Sequence, residues 1–288
     1  MWQNKHLHPM NFLHHLNLPE MKSPQTLRLT HEDIMTWIVS IANEKGGVAK
    51  TTTTLSLSGA LVELGYHVLV IDLDPQANLS LSLGCEPNTS YRSLINLFME
   101  NTPISEAIKN TDIDHLFLLP SNTEIGLAER ILPARSGYEM FLKNLLSTID
   151  RQFDFVLIDC PPFLGAITLN AIMASDLLIL PTQAEYYSVF ALRNMMSLIR
   201  QVRSKGNASL RYRLLITMFD KRNGIHRTLS AHLRNTFAQG VLDSVIEVDT
   251  RLRESPIAGL PIIYHASKSR AAMQYRFLAQ EIISYVKE

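Results

Sequence analysis

Lys45 and Lys50 stand five residues apart in the segment EKGGVAKTTTT, Glu44 to Thr54, whose donors suit a polyphosphate. Backbone N–H groups around Gly46 and Gly47 can wrap phosphate oxygens, Lys50 can reach the outer phosphates, and the Thr51 hydroxyl can ligate Mg²⁺. The candidate nucleotide-binding set is Lys45, Gly46, Gly47, Val48, Ala49, Lys50, Thr51 and Thr52. Two acidic sites complement it. Asp72 and Asp74 sit in VLVIDLDPQ, and Asp159 closes the apolar run FVLID. A carboxylate after such a run can hold a water on Mg²⁺, because hard divalent cations take oxygen ligands and rarely shed their whole hydration shell. Each feature has a plainer reading as a turn lysine or a solvated aspartate, but the three together converge on one site.

These groups need strands to end where they stand. The run Trp37 to Ala42 precedes the glycine turn, and Leu55, Leu57, Ala60, Leu61 and Leu64 follow it at the spacing of one buried helix face. A strand, a turn and a helix therefore meet at the lysines, and a helix N-terminus adds its positive dipole end. Downstream, strands are expected at 67–72, 116–119, 155–159, 177–181, 213–218 and 241–247. Helices are expected at 139–149, 166–174, 187–203, 226–237 and 268–286, with short ones near 94–109. Continuous apolar strands alternating with helices predict an α/β fold, a doubly wound and mainly parallel sheet covered on both faces. Ligands of such sheets bind at the strands' carboxyl ends, where all three motifs fall.

The segment departs from the ordinary pattern G-x-x-x-x-G-K-[ST] at Glu44 and Ala49 and instead follows K-G-G-x-G-K-[ST], with Ala49 alone out of line. It thus resembles the ParA/MinD group of deviant Walker A P-loop ATPases. D-x-D-P-Q matches fully at Asp72 to Gln76. FDFVLIDCPPFLGAITLNA, LPTQAEYYSVFAL and RLRESPIAGLPI look like the ParA/Soj partition ATPases, so the resemblance spans residues 38–286. It implies ATP and Mg²⁺ as cofactors, with Lys45, Lys50 and Asp74 catalytic. Lys45 would cross a dimer interface to the partner's nucleotide, Asp74 would orient the attacking water, Asp72 would support the metal site, and Thr51 and Asp159 would hold Mg²⁺. It also implies Arg222 (in MFDKRN) and Arg251 (in DTRLRESP) as contacts to nonspecific DNA. Lys221, Arg227, Arg253, Lys268 and Arg270 are helpers by charge and position. MinD relatives differ where Asp74-Pro75-Gln76 stands and end in a basic amphipathic helix, whereas this sequence ends SYVKE. Nitrogenase-type iron proteins need cluster cysteines at positions this sequence does not supply.

The implied activity is a Mg²⁺-dependent ATPase that forms a homodimer on ATP, binds DNA without reading its sequence, and moves plasmid or chromosome cargo with a ParB-like partner. Two alternatives stay open, namely positioning of a protein cargo and a weakly hydrolysing, nucleotide-switched DNA-binding scaffold. Ala49 motivates the second, since a position needing φ > 0 penalises a Cβ by ~1 kcal/mol. Glu247 stands where the family commonly has proline near the adenine.

Formal charge is zero overall but unevenly spread. Residues 1–187 hold 11 Lys+Arg against 20 Asp+Glu, and residues 188–288 hold 16 against 7. A basic last third attracts phosphate backbones. Arg193, Arg200 and Arg203 recur on one helix side and read as a solvated face. Two distant cysteines argue against a disulfide framework or zinc cluster. No apolar run approaches the ~18 residues of a membrane span, so no membrane contact is expected; the cysteine usage suits a reducing cytoplasm, and the ParA/Soj resemblance implies nucleoid association. Residues 1–36, with five of ten histidines, read as a mobile N-terminal tail before an ATPase domain at 37–288.

Overall fold

The computed structural model describes residues 35–87, 92, 94–100, 102–149 and 151–287. Nearly all of the expected N-terminal tail, with its histidines, lies outside the described residues. Eight strands form one sheet: β1 (Trp37–Ile41), β2 (Val68–Asp72), β3 (Lys109–Asn110), β4 (Leu116–Leu119), β5 (Phe155–Asp159), β6 (Leu177–Gln183), β7 (Arg211–Phe219) and β8 (Val241–Glu247). Their order is β3-β4-β2-β5-β1-β6-β7-β8, and every pairing is parallel except the short β3–β4 ladder.

Eleven α-helices are described. They are α1 (Lys50–Glu63), α2 (Asn78–Leu81), α3 (Leu94–Glu100), α4 (Ile125–Ile131), α5 (Phe141–Ser147), α6 (Ala166–Ala174), α7 (Tyr186–Lys205), α8 (Gly224–Phe237), α9 (Arg251–Ile257), α10 (Ile262–His265) and α11 (Arg270–Lys287). The doubly wound expectation holds because neighbouring strand residues feed different cores. Leu69 and Ile71 pack with residues of α3 to α7, while Val68 and Val70 pack with α1, α10 and α11. Side chains alternate across a strand, so a strand apolar throughout must be covered on both sides.

Three expectations shift in detail. The region 139–149 begins as a 3₁₀ turn at Tyr138–Met140 before α5, and 94–109 resolves into α3, a 3₁₀ turn at Ile104–Glu106 and the start of β3. Helix α1 is buried almost all round from Lys50 to Val62, not along one face. Leu64, counted above as part of that face, lies just past the helix and is 39% exposed. Arg193, Arg200 and Arg203 do face solvent on α7.

Candidate functional site

Strand β1 stops at Ile41, and the turn that follows is pinned on both sides before α1 begins. Asn43 Nδ2 donates to Pro181 O (2.8 Å) and Asn43 Oδ1 accepts from Lys45 N (3.0 Å). Gln183 Nε2 donates to Gly47 O (3.1 Å), and Thr217 Oγ1 donates to Val48 O (3.0 Å). Gly47 has φ +72° and Ala49 φ +67°, so two residues of the turn are left-handed, and only one is a glycine. Ala49 then caps α1 as its carbonyl accepts from Thr53 N (2.9 Å).

The turn opens onto a cavity of about 450 Å³, in the range of small-ligand sites. The loop, the start of α1 and the residue after β2 contribute Gly46, Gly47, Ala49, Lys50, Thr51, Thr52 and Asp74, while β7, β8, α9 and the turn between β8 and α9 contribute Met218, Ile246, Val248 and Leu252, with Glu247, Asp249 and Arg253. A register shift between β7 and β8 falls between Ile216 and Phe219, the stretch that holds Met218, which has φ +52°. Such an irregularity re-aims side chains.

Of the expected nucleotide set, Val48 and Lys45 do not line the cavity. Val48 is fully buried beneath the loop and contributes backbone only. The Lys45 ammonium turns away to Gln183 Oε1 (2.9 Å), Glu185 Oε2 (2.6 Å) and Ser188 Oγ (3.3 Å). Lys50 curls over the loop and donates to Lys45 O (3.3 Å). Burial lowers the Lys50 pKa, and the nearby Asp159 and Asp74 carboxyl groups partly restore it.

Asp159 is fully buried behind the helix start. Its Oδ2 accepts from Thr51 Oγ1 (2.7 Å) and its Oδ1 from Thr54 Oγ1 (3.3 Å). Burial raises its pKa first, the neighbouring Asp72 charge adds to this, and the Thr51 hydrogen bond and Lys50 oppose it. Because the Thr51 proton is committed to Asp159, the hydroxyl keeps lone pairs free for a cation. Asp72 is a brace for its loop and does not line the cavity. Its oxygens accept from Asp74 N (3.0 Å), Ser80 N (2.9 Å) and Ser80 Oγ (2.8 Å), and burial raises its carboxyl to about 6. Asp74 lines the cavity, 8% exposed, with Oδ1 accepting from Gln76 N (2.9 Å).

Asp74 lines the cavity beside the Lys50 ammonium, and Asp159 backs the Thr51 hydroxyl, so the donors offered there are oxygens, which suit Mg²⁺. The loop amides and the α1 N-terminus beside them suit a triphosphate. The residues present therefore fit a magnesium nucleotide.

Arg222 and Arg251 lie outside this cavity. Arg222 is exposed and bidentate to Asp220 (3.0 and 2.9 Å), which lowers the Asp220 pKa to about 2. Arg251 opens α9, exposed, its backbone N–H donating to Asp249 Oδ1 (3.1 Å). Of the expected helpers, Arg270 pairs with Glu247 (3.0 Å) and donates to Val248 O, Lys221 lies 3.9 Å from Glu247, Arg227 donates to Lys221 O (2.7 Å), and Arg253 lines the cavity. Sequence reasoning missed Thr54, Gln183, Glu185, Ser188 and Met218. The four-threonine run carried a signal for Thr54, one helical turn after Thr51, while the others lie far away in the chain. Glu129 was also missed. From α4 it accepts from Ala166 N (2.6 Å) and Ile167 N (2.9 Å), fixing the start of α6 just after the Asp159 loop.

A protein-family model described as an AAA domain matches residues 36–212. The sporulation initiation inhibitor protein Soj of Bacillus subtilis (strain 168) is 34% identical over 246 residues, spanning 85% of this chain and 97% of Soj. The chromosome partitioning protein ParA of Caulobacter vibrioides (strain NA1000 / CB15N) is 34% identical over 250 residues, 86% of this chain and 94% of that protein. Among solved structures, cobyrinic acid a,c-diamide synthase from Mycobacterium smegmatis with bound ADP and magnesium superposes with a TM-score of 0.77. It is 34% identical and covers 88% of this chain and 96% of that one. With the lysine-flanked loop, the aspartates at the ends of β2 and β5 and this extent of similarity, the chain belongs to the ParA/Soj family of P-loop ATPases.

Proposed function

We propose that this protein hydrolyses ATP with Mg²⁺, dimerises around the bound nucleotides, and binds DNA nonspecifically as the dimer until a ParB-like partner stimulates turnover. The observation that carries the reading is the position of Lys45. It lines no part of its own cavity and is held by Gln183, Glu185 and Ser188 beside the exposed aromatic rings of Tyr186, Tyr187 and Phe190. A lysine so placed suits donation to a second copy's nucleotide, with the aromatic patch at the contact. In the mechanism, Lys50 and the loop amides of Gly46 to Thr52 bind the phosphates. Thr51 would hold Mg²⁺, with Asp159 orienting the Thr51 hydroxyl. Asp74 positions the attacking water, and Lys45 offsets developing charge in trans. The cofactors are ATP and Mg²⁺, and a bound Mg²⁺ would supply charge stabilisation for the transferring phosphoryl group.

Arg222 and Arg251 are the proposed phosphate-backbone contacts. Among the described residues no helix is long and apolar enough to cross a membrane, and the proposed setting is the cytoplasm and nucleoid. The deciding experiment measures ATP-dependent DNA retention over a salt series. Arg251→Glu should weaken retention and lower the salt slope by about one; unchanged retention refutes the surface. Asp74→Ala should keep ATP-dependent dimers while phosphate release falls to background. The left-handed Ala49 favours one second reading, a nucleotide-switched DNA scaffold with little hydrolysis. Phosphate release at saturating DNA and partner separates the two. Positioning of a protein cargo uses the same cycle, and a ParB-like reading frame beside this gene would favour DNA.

A further inference from the structure

The basic segment Arg251-Leu252-Arg253 divides between two surfaces. On a helix, residues two apart are rotated by about 200°, so the two arginines of α9 cannot share a face. Arg251 is exposed and does not line the cavity, whereas Arg253 lines it with Leu252 and Asp249. Among the described residues the Arg253 side chain has no hydrogen bond or ion pair. The other charged groups that β8 and the turn after it contribute are engaged. Glu247 meets Arg270 (3.0 Å) and Gln274 (3.2 Å), and Asp249 accepts from Arg251 N (3.1 Å).

The cavity lining is chemically divided. Phosphates belong against Gly46–Thr52, which places a nucleobase against Met218, Ile246, Val248 and Leu252. Those side chains are apolar and carry no hydrogen-bonding group, so by themselves they offer little preference among flat rings. Among the described residues, Arg253 is the one cation that β7 to α9 contribute to the lining. A guanidinium is planar and weakly hydrated, and it packs on π-faces better than an ammonium does.

We propose that Arg253 is a base-contacting residue that sets affinity for purine nucleotides, and that it takes no part in DNA binding. This rests on the nucleotide reading of the cavity given above. Calorimetric titrations of the full chain with MgATP, MgADP and MgCTP test it, using the parent, Arg253→Ala and Arg253→Lys. Loss of the guanidinium should weaken MgATP and MgADP by the same factor, about two- to thirty-fold, and MgCTP by less. Lysine should not restore the loss, and the salt slope of DNA retention should match the parent's. Equal affinity of parent and Arg253→Ala overturns the proposal. So does a loss larger for ATP than ADP, which would mark a phosphate contact, or full rescue by lysine. A parent that binds no nucleotide sinks the function reading itself, whereas a parent that binds while Arg253→Ala binds equally sinks only this assignment.

Discussion

Replacing Ala49 by glycine tests whether the phosphate loop holds a conformation its own side chain opposes. Ala49 sits at φ +67° and ψ 35°, where an L-residue's Cβ crowds the following carbonyl at a cost of roughly 1–2 kcal/mol. Glycine removes that cost but loosens the unfolded chain, which returns about 0.4–1 kcal/mol. The net expectation is a gain of about 0.5–1 kcal/mol, a rise in Tm of about 1–4 °C for a domain of this size. Gly47 supplies the mirror control. It is also left-handed, at φ +72°, and an added Cβ would meet nothing within 4 Å. Gly47→Ala should therefore lose what Ala49→Gly gains, through the backbone alone and without a clash. Calorimetric or circular-dichroism melts of the nucleotide-free protein, repeated with MgADP, measure both. A lower Tm for Ala49→Gly, or no cost for Gly47→Ala, refutes the claim that both residues are held left-handed.

Three further expectations come from the same geometry. Glu185→Gln removes the charge that holds Lys45 at 2.6 Å, and light scattering should then show ATP-dependent dimers at lower protein concentration; a shift to higher concentration would mean Glu185 assists assembly instead. Glu129→Ala strips two acceptor contacts from the start of α6 and should cost about 1–2 kcal/mol in urea unfolding, while an unchanged midpoint would show that water replaces the carboxylate. Burial raises Asp72 to about 6 from 3.8, so the folded state takes up its proton first as pH falls. The cost of the buried charge is then full above about pH 6 and relieved toward pH 4. Relative to Asp72→Asn, the parent in EDTA should gain on the order of 2 kcal/mol of stability between pH 6.5 and 4.5, and a parent that loses ground over that window contradicts the sign.

Where an element is long and apolar, its sequence was enough to find it. FVLID and VLVID are buried at every position, and strands covered on both faces leave that mark whatever surrounds them. The short pieces left no such mark. Helix α9 has seven residues with Pro256 inside, α2 has four, and β3 has two that exist as a strand only because β4 pairs with them. The same limit governs the site. Lys50 and Thr51 were legible because a strand end followed by a glycine turn confines their direction, and Asp74 and Asp159 because each stands at or just past the end of an apolar strand, ahead of proline.

The layered α/β class and the chemistry of the loop follow from periodicity and residue type within a few neighbours along the chain. Tertiary structure decided which way the charged ends point. Lys45 leaves its own cavity because Gln183 and Glu185, 138 and 140 residues later, lie beside it across the β1–β6 pairing. Arg253 enters the cavity while Arg251 stays outside because α9 follows β8 at one particular rotation. A long flexible side chain takes its direction from partners brought near by folding, and local sequence carries no record of them.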